Sequence, residues 1–273
     1  MMNTLEIRNL FNVQGKVVLV TGGSRGIGKM IATGFVKNGA KVYVSSRTAK
    51  DCQTTAEELN QLGPGTCIPI PADLQKYEEV ERLVGEVSSR ESALHVLVNN
   101  AGAIWAAPLD EYPDAAFSKV LNLNLQRVFT LTQKALPLLR AAAEKSKDGE
   151  IYRDPARIIN IGSVEGIYVP GHDTYSYSAA KAALHHLSRH LAAKLGPDGV
   201  VSNTIACGFF PTKMTAHFMD MVGEELVAGL PLRRSGRPED VAGTALFLSS
   251  PAGAYVNGAT IAVDGGFLVT SRL

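Results

Sequence analysis

The chain has 273 residues, of which 45% are hydrophobic and 19% charged, with a formal net charge of +1. That is enough apolar material for one sizeable core. Near-neutral charge argues against nucleic-acid binding through a basic surface. No segment has the roughly 18 uninterrupted apolar residues of a membrane span or the apolar stretch of a secretion signal. The three scattered cysteines are typical of reduced thiols. We therefore expect a cytoplasmic protein without membrane or nucleic-acid partners.

Short apolar, β-branched runs alternate with longer helix-favouring segments along the chain. The predicted strands are residues 16–21, 41–45, 66–70, 95–98, 157–161, 200–205 and 260–263. The predicted helices are residues 27–37, 49–62, 76–89, 114–143, 174–195 and 238–249. Strands that are apolar throughout are typical of a sheet covered by helices on both faces. The pattern predicts an α/β fold with a single doubly wound, Rossmann-type domain and a seven-stranded parallel sheet.

Two segments depart from this alternation. Residues 143–155 are polar and predict a surface insertion. Residues 209–236 follow the sixth strand, at the edge where such sheets bind ligands, and predict a substrate cover. The apolar side chains of this cover are Phe209, Phe210, Met214, Phe218, Met219 and Met221. Residues 1–14 precede the first predicted strand and are expected to form an N-terminal extension. We expect one domain over residues 1–273.

A glycine-rich segment joins the first strand to the first long helix. It contains Gly22, Ser24, Arg25, Gly26, Ile27 and Gly28. Glycines let the backbone approach a pyrophosphate, and the unpaired N–H groups at the helix start receive its charge. The position between a strand and a helix favours dinucleotide binding. A purely structural turn is the alternative that this segment alone leaves open.

Tyr177 and Lys181 lie four residues apart in a helical pattern, so both side chains lie on one helix face. An ammonium beside a phenol lowers the pKa of the phenol and makes it a usable proton donor or base. Tyr175 points about 200° away around the helix and is expected to be a pocket or packing residue. Ser163 ends the fifth strand, where its hydroxyl can meet a substrate oxygen. A Tyr-x-x-x-Lys pair by itself also occurs by chance on helix surfaces.

The motifs together resemble the short-chain dehydrogenase/reductase family over nearly the whole chain, from Gly15 to Gly266. The G-x-x-x-G-x-G spacing, Asn99-Asn100-Ala101-Gly102 and the Asn124, Ser163, Tyr177 and Lys181 set carry the resemblance. It implies that Tyr177 is the general acid/base, that Ser163 polarises the carbonyl and that Asn124 holds a proton-relay water. Lys181 is then expected to bind the nicotinamide ribose and to tune Tyr177. The resemblance implies no metal.

The resemblance also predicts which nicotinamide binds. Members that prefer NAD place an acidic residue after the second strand, where this chain has Ser46 and Arg47. A hydroxyl beside Arg47 and Arg25 suits the 2′-phosphate of NADP(H). Solvated surface arginines are the alternative. The other cofactor contacts implied are Asp73, Leu74, Asn99, Asn100, Ala101, Gly102, Tyr177, Lys181, Gly208, Phe210 and Thr212.

The expected activity is NADPH-dependent reduction of a ketone or 3-oxoacyl-type carbonyl. The apolar cover and Trp105 favour a hydrophobic substrate over a polyol. An NAD-linked alcohol or sugar dehydrogenase and a nucleotide-binding scaffold without activity remain as alternatives. In family members the helices that correspond to those bearing Asn124 and Tyr177 commonly pack against their copies, which implies a homodimer or homotetramer.

His186 and His190 lack the glutamate of a metalloprotease motif and are expected at the surface. Cys207 stands where the family usually has proline, which predicts a more mobile cover.

Overall fold

The computed structural model describes residues 5–213, 215, 223, 225 and 227–270. Its strands are β1 (Val17–Thr21), β2 (Lys41–Ser45), β3 (Thr66–Pro69), β4 (Val96–Asn99), β5 (Lys147–Asp148), β6 (Ile151–Tyr152), β7 (Ala156–Ser163), β8 (Val200–Cys207) and β9 (Thr260–Val263). Its α-helices are α1 (Ile7–Leu10), α2 (Gly26–Lys37), α3 (Ala49–Asn60), α4 (Tyr77–Ser88), α5 (Asp114–Leu121), α6 (Arg127–Glu144), α7 (Tyr175–Leu195) and α8 (Pro238–Ser249). Among these described helices, none is long and apolar enough to cross a membrane.

Seven of the strands form one parallel sheet in the order β3-β2-β1-β4-β7-β8-β9. The predicted doubly wound sheet is therefore confirmed, and the strand order reverses between β1 and β4. All parallel strands end at the same edge, and loops that follow neighbouring strands meet there. In register, Asn99 pairs with Asn160 and Ser163 with Cys207.

Two hydrophobic clusters lie on opposite faces of the sheet. Successive residues of β1 point to alternate faces: Val18 and Val20 join one cluster, and Val17 and Leu19 the other. Helices α2 and α8 cover the first face, whereas α4 and α6 contribute to the second. Because helices cover both faces of the sheet, the strands are apolar throughout.

The helix predicted over residues 114–143 is interrupted. A π-helical segment, Asn122–Gln126, separates α5 from α6. Its central residue, Asn124, donates from Nδ2 to the Val120 carbonyl at 2.9 Å, four residues earlier. A side chain that occupies the i−4 carbonyl competes with the helical backbone bond, and helices widen at such points. Periodicity alone cannot detect this, because the apolar pattern continues through the interruption.

The polar segment 143–155 contains an exposed hairpin formed by β5 and β6. Its last part reaches inward. Asp154 forms ion pairs with Lys16 and, at 2.7 Å, with the guanidinium of Arg157, whose side chain is only 1% exposed. Arg157 also donates to the carbonyls of Leu248 and Ser250. The segment thus supplies the counter-charge for two buried cations at the amino edge of the sheet.

We expect Asp154→Asn to lower the free energy of unfolding by about 2 kcal/mol at pH 7, because it leaves Lys16 and Arg157 without a counter-charge. The figure lies below the usual cost of breaking a buried pair because Asp154 is partly exposed. Burial raises the pKa of Asp154, but Arg157 and Lys16 outweigh this and hold it below its ordinary value. Its contribution is therefore present above about pH 4 and is lost as the pH falls through the lowered pKa.

Urea denaturation of wild type and Asp154→Asn at several pH values measures this difference. The matched control is Asp148→Asn, which removes a carboxylate from an exposed pair with Arg153 in the same segment. The control should leave the unfolding midpoint unchanged. Equal stability of wild type and Asp154→Asn at pH 7 would contradict the assignment.

Candidate active site

The carboxyl ends of β1 and β4 are held together where the strand order reverses. The Thr21 hydroxyl accepts from the backbone N–H groups of Asn100 and Ala101, at 3.0 and 3.1 Å. In return, Asn100 donates from Nδ2 to the carbonyls of Thr21 and Gly22, at 2.8 and 3.1 Å. The Asn100 side chain therefore fixes the start of the glycine-rich turn.

The turn itself fits a phosphate-bearing ligand. Gly26 adopts a φ of 52°, and a Cβ added at Gly28 would lie 2.3 Å from the Gly22 carbonyl oxygen. Helix α2 begins at Gly26, and no side chain caps its first turn. The N–H groups of an uncapped first turn, together with the helix dipole, form a site for an anion. The glycines thus serve a close backbone approach that leaves these groups open.

The structure brings Ser163, Tyr177 and Lys181 together at the same edge. The Ser163 side chain lies close enough to Tyr177 to lower the pKa of the Tyr177 hydroxyl. Lys181 Nζ lies 5.5 Å from the centre of the Tyr177 ring and donates to the Ile161 carbonyl at 2.7 Å. Tyr175 instead points outward, 39% exposed, with its hydroxyl on Asp173. Tyr177 is therefore the tyrosine beside Lys181, as predicted.

The charges around Tyr177 differ from the sequence-based expectation. Burial raises the pKa of the Tyr177 hydroxyl, and the carboxylate of Glu165 raises it further, against a lowering effect from Ser163. Burial also lowers the pKa of Lys181 to about 8, although the Cys207 thiol and the Glu165 carboxylate act in the other direction. The lowering expected from Lys181 is not among the effects that set the pKa of Tyr177, where desolvation of the phenolate is the largest. The site as it stands keeps its proton on Tyr177.

Asn124 lies beside Gly102, with its side chain almost fully buried. Its Nδ2 donates to the Ala103 carbonyl at 2.8 Å as well as to Val120. Its Oδ1 has no hydrogen-bond partner among the described residues. A buried acceptor without a partner is unusual, and an incoming donor would satisfy it.

The residues predicted at the adenosine end of the cofactor lie in the glycine-rich turn and after β2 and β3. Ser46 has its hydroxyl 3.0 Å from the Cys52 thiol. Arg25 and Arg47 are exposed, and neither forms an ion pair within the described part of the chain. The carboxylate of Asp73 accepts from the backbone of Gln75, whereas Leu74 is buried in the core.

The loop after β8 returns toward the glycine-rich turn. A Cβ added at Gly26 would lie 3.3 Å from Cγ2 of Thr212, so these two segments touch. Gly208 packs closely on Asp264, and the ring of Phe210 is buried beneath Gly236. Only the backbone of Phe210 can therefore face a ligand. The cover residues Met214, Phe218, Met219 and Met221 lie outside the described residues.

Asn99 also lies at this edge, but its side chain is committed elsewhere. It is buried and donates to the side chains of Asn160 and Thr132. Ala101 and Gly102 follow Asn100 and are half-buried. His186 and His190 are exposed on α7, and no cluster of three metal-ligating side chains occurs among the described residues.

Sequence reasoning missed two groups at this site. The carboxylate of Glu165 accepts hydrogen bonds from His172, Thr174 and Ser178, at 3.2, 2.6 and 3.0 Å. The imidazole of His185 lies behind Ser163, whose backbone N–H it accepts at 3.4 Å. His185 lies eight residues after Tyr177 and four after Lys181, so helical spacing was a signal for it. Glu165 had no such signal, because its partners come from the loop before α7 and from the first turn of α7.

Comparison with known proteins shows the family of this chain. Residues 22–268 match the family described as Enoyl-(Acyl carrier protein) reductase. The chain is 45% identical over 262 residues to a rhamnolipids biosynthesis 3-oxoacyl-[acyl-carrier-protein] reductase of Pseudomonas aeruginosa, covering 94% of this chain and 98% of that protein. It is 32% identical over 268 residues to the 5-keto-D-gluconate 5-reductase of Escherichia coli, covering 96% of this chain and 99% of that protein.

Solved structures give the same result. The Pseudomonas aeruginosa RhlG/NADP active-site complex superposes with a TM-score of 0.88 at 44% identity, covering 94% of this chain and 98% of that one. A gluconate 5-dehydrogenase from Burkholderia cenocepacia in complex with NADP and tartrate superposes with a TM-score of 0.87 at 28% identity, covering 97% and 100%. This chain belongs to the short-chain dehydrogenase/reductase family of oxidoreductases.

Proposed function

We propose that this protein uses NADPH to reduce a ketone, of the 3-oxoacyl thioester type, to a secondary alcohol. The observation that carries the proposal is the grouping of Ser163 and Tyr177 with the buried ammonium of Lys181 at one edge of the sheet. This group lies at the carboxyl edge of the sheet, where the uncapped start of α2 also lies. A proton donor, a carbonyl-orienting hydroxyl and an anion site then lie along one edge.

The glycine-rich turn would hold the pyrophosphate of NADPH through the backbone of Ser24 to Gly28. Ser46, Arg47 and Arg25 would hold the 2′-phosphate, because these two arginines have no acidic partner among the described residues. The structure of the Pseudomonas aeruginosa relative with NADP supports this choice over NAD. The proposed remaining contacts are those predicted from the sequence: Asp73, Leu74, Asn99, Asn100, Ala101, Gly102, Tyr177, Lys181, Gly208, Phe210 and Thr212, with Asn99 and Phe210 acting through their backbones.

The bound cofactor supplies a hydride to the carbonyl carbon of the substrate. Ser163 donates a hydrogen bond to the carbonyl oxygen, and Tyr177 transfers its hydroxyl proton to that oxygen as it gains negative charge. A raised pKa keeps Tyr177 protonated at neutral pH, which suits the reducing direction. Lys181 stabilises the phenolate that remains. The open Oδ1 of Asn124 would accept from a water that returns a proton toward Tyr177.

The side chains around the site favour an apolar substrate. Phe267 makes edge-to-face contacts with Tyr168 and Phe209, at ring-centre distances of 4.8 and 5.1 Å. These rings come from the loops that follow β7, β8 and β9, which all end at the catalytic edge. Trp105, 44% exposed, stands after β4. Aromatic side chains bind an acyl chain or a ring better than a polyol. The 3-oxoacyl reductase of Pseudomonas aeruginosa supports the same class.

Several further features of the protein belong to the proposal. Residues 209–236 would cover the substrate, within a single domain over residues 1–273. Exposed rings on α5 and α6, Phe117 and Phe129, favour a homodimer or homotetramer through these helices. Three buried free thiols favour a reducing, cytoplasmic compartment.

The direct test is NADPH consumption with a panel of 3-oxoacyl thioesters, aromatic ketones and sugar ketones. We expect selective turnover of the apolar ketones. Tyr177→Phe should lower kcat by at least about a hundredfold, because it removes the transferable proton. Binding of NADPH, followed by fluorescence titration, should be unchanged. Tyr175→Phe is the matched control and should keep its activity. A Tyr177→Phe enzyme that turns over normally would assign the proton to another group.

Cofactor preference gives a second test. Ser46→Asp places a carboxylate where the 2′-phosphate would bind, so the ratio of kcat/KM for NADPH over NADH should fall by about tenfold or more. Ser46→Ala removes the hydroxyl without adding a charge and should change the ratio less. An unchanged ratio in Ser46→Asp would exclude this position from 2′-phosphate recognition.

The charge of Glu165 gives a third test, on pH dependence. Because Glu165 raises the pKa of Tyr177, Glu165→Gln should lower it. Reduction needs protonated Tyr177, so the alkaline fall in kcat/KM for the ketone should move to lower pH at saturating NADPH. Gln keeps acceptors for Thr174 and Ser178. The control Glu78→Gln, on the exposed face of α4, should leave the profile in place. A shift to higher pH would contradict the assigned sign.

A further inference from the structure

We propose that His185 is a positioning residue. Its imidazole holds the end of β7 against α7 and so keeps the Ser163 side chain beside Tyr177. The inference rests on the proposed function for its kinetic consequence, but its structural part can be tested without turnover. His185 is not expected to touch the substrate or the cofactor. It acts through the backbone of Ser163.

His185 occupies a space that two glycines leave open. Its side chain is 4% exposed, and its Nε2 accepts from the Ser163 N–H at 3.4 Å. A Cβ added at Gly162 would lie 2.2 Å from His185 Nε2, and one added at Gly166 would lie 2.7 Å from Cε1. The hydrogen bond is long, but the ring also contacts the backbone on both sides of Ser163. Any displacement of the ring therefore moves the segment that carries the Ser163 hydroxyl.

Helix α7 holds the end of β7 at two points. Lys181 donates from Nζ to the Ile161 carbonyl at 2.7 Å, and His185, one helical turn later, accepts from Ser163. One contact sets the distance between helix and strand, and the second prevents the strand end from rotating about the first. Tyr177 lies one turn before Lys181 on the same face. The relative position of the two reacting hydroxyls thus depends on both contacts.

The imidazole must be neutral to accept at Nε2. Burial lowers the pKa of His185 to about 4, and the charges of Lys181 and Arg189 lower it further. The ring is then neutral at working pH, and acceptance at Nε2 places its proton on Nδ1. A hydrophobic residue of similar size can fill the space but cannot accept the Ser163 N–H.

Four substitutions separate acceptance from packing. His185→Leu fills the space without an acceptor, and His185→Asn carries an amide too short to reach Ser163. His185→Gln can place an amide oxygen where Nε2 was. His186→Leu alters the neighbouring exposed histidine and is the matched control. We expect kcat to fall by about tenfold to a hundredfold in His185→Leu and His185→Asn, which is the size of effect that small misplacements of reacting groups cause. NADPH binding should be unchanged, His185→Gln should recover most of kcat, and His186→Leu should match wild type.

Hydrogen exchange at the Ser163 amide provides a readout that needs no substrate. Exchange should be faster in His185→Leu and His185→Asn than in wild type, and His185→Gln should restore protection. Unchanged exchange in both defective variants would overturn the inference, as would normal kcat in His185→Leu. If His185→Leu does not fold, the comparison of His185→Asn with His185→Gln decides. If wild type consumes no NADPH with any ketone, the proposed function fails, while the exchange data still decide the role of His185.

Discussion

The buried hydrogen bond from the Lys181 ammonium to the Ile161 carbonyl holds the reactive part of this molecule together. It joins α7, which carries Tyr177, to β7, which ends at Ser163. Burying an ammonium is costly, so a bond to a main-chain carbonyl compensates for part of its lost hydration. The same burial lowers the pKa of Lys181 and raises that of Tyr177. Geometry and acidity at this site therefore have one origin, which is the close packing of α7 on the sheet.

The sheet provides the frame for that contact. Parallel strands end at one edge, and the reversal of strand order between β1 and β4 opens a gap there. The Thr21 and Asn100 bonds hold the two sides of this gap, so that the glycine-rich turn stays at the carboxyl edge of the sheet. The buried cations at the two edges of the sheet have different surroundings. At the amino edge, Asp154 neutralises buried cations, whereas at the carboxyl edge the buried Lys181 lies beside Tyr177 without an acidic ion-pair partner among the described residues.

Much of the site follows from local patterns in the chain. The spacing of Tyr177 and Lys181 puts them on one helix face, and the apolar strands with a glycine-rich turn predict the sheet and its ligand-binding edge. The site was harder to predict wherever a residue acts through distant partners. Glu165 gains its three hydrogen-bond donors only when the loop after β7 folds back onto α7. Asp154, which the sequence places in a surface insertion, pairs with Lys16 only when β1 and β7 have taken their places in the sheet.

The sequence by itself determined the fold class, the order of strands and helices along the chain, and the residues that we propose carry the chemistry, because these depend on periodicity and on short spacings. The tertiary structure decided the direction in which the pKa of Tyr177 moves, since desolvation depends on everything packed around the hydroxyl. It also decided the π-helical break at Asn124 and the place of His185 behind Ser163. The pKa of Tyr177 and the contact of His185 with Ser163 depend on segments that come together only in the folded chain. The π-helical break goes with a local bond from Asn124 to the Val120 carbonyl, which the apolar pattern does not reveal.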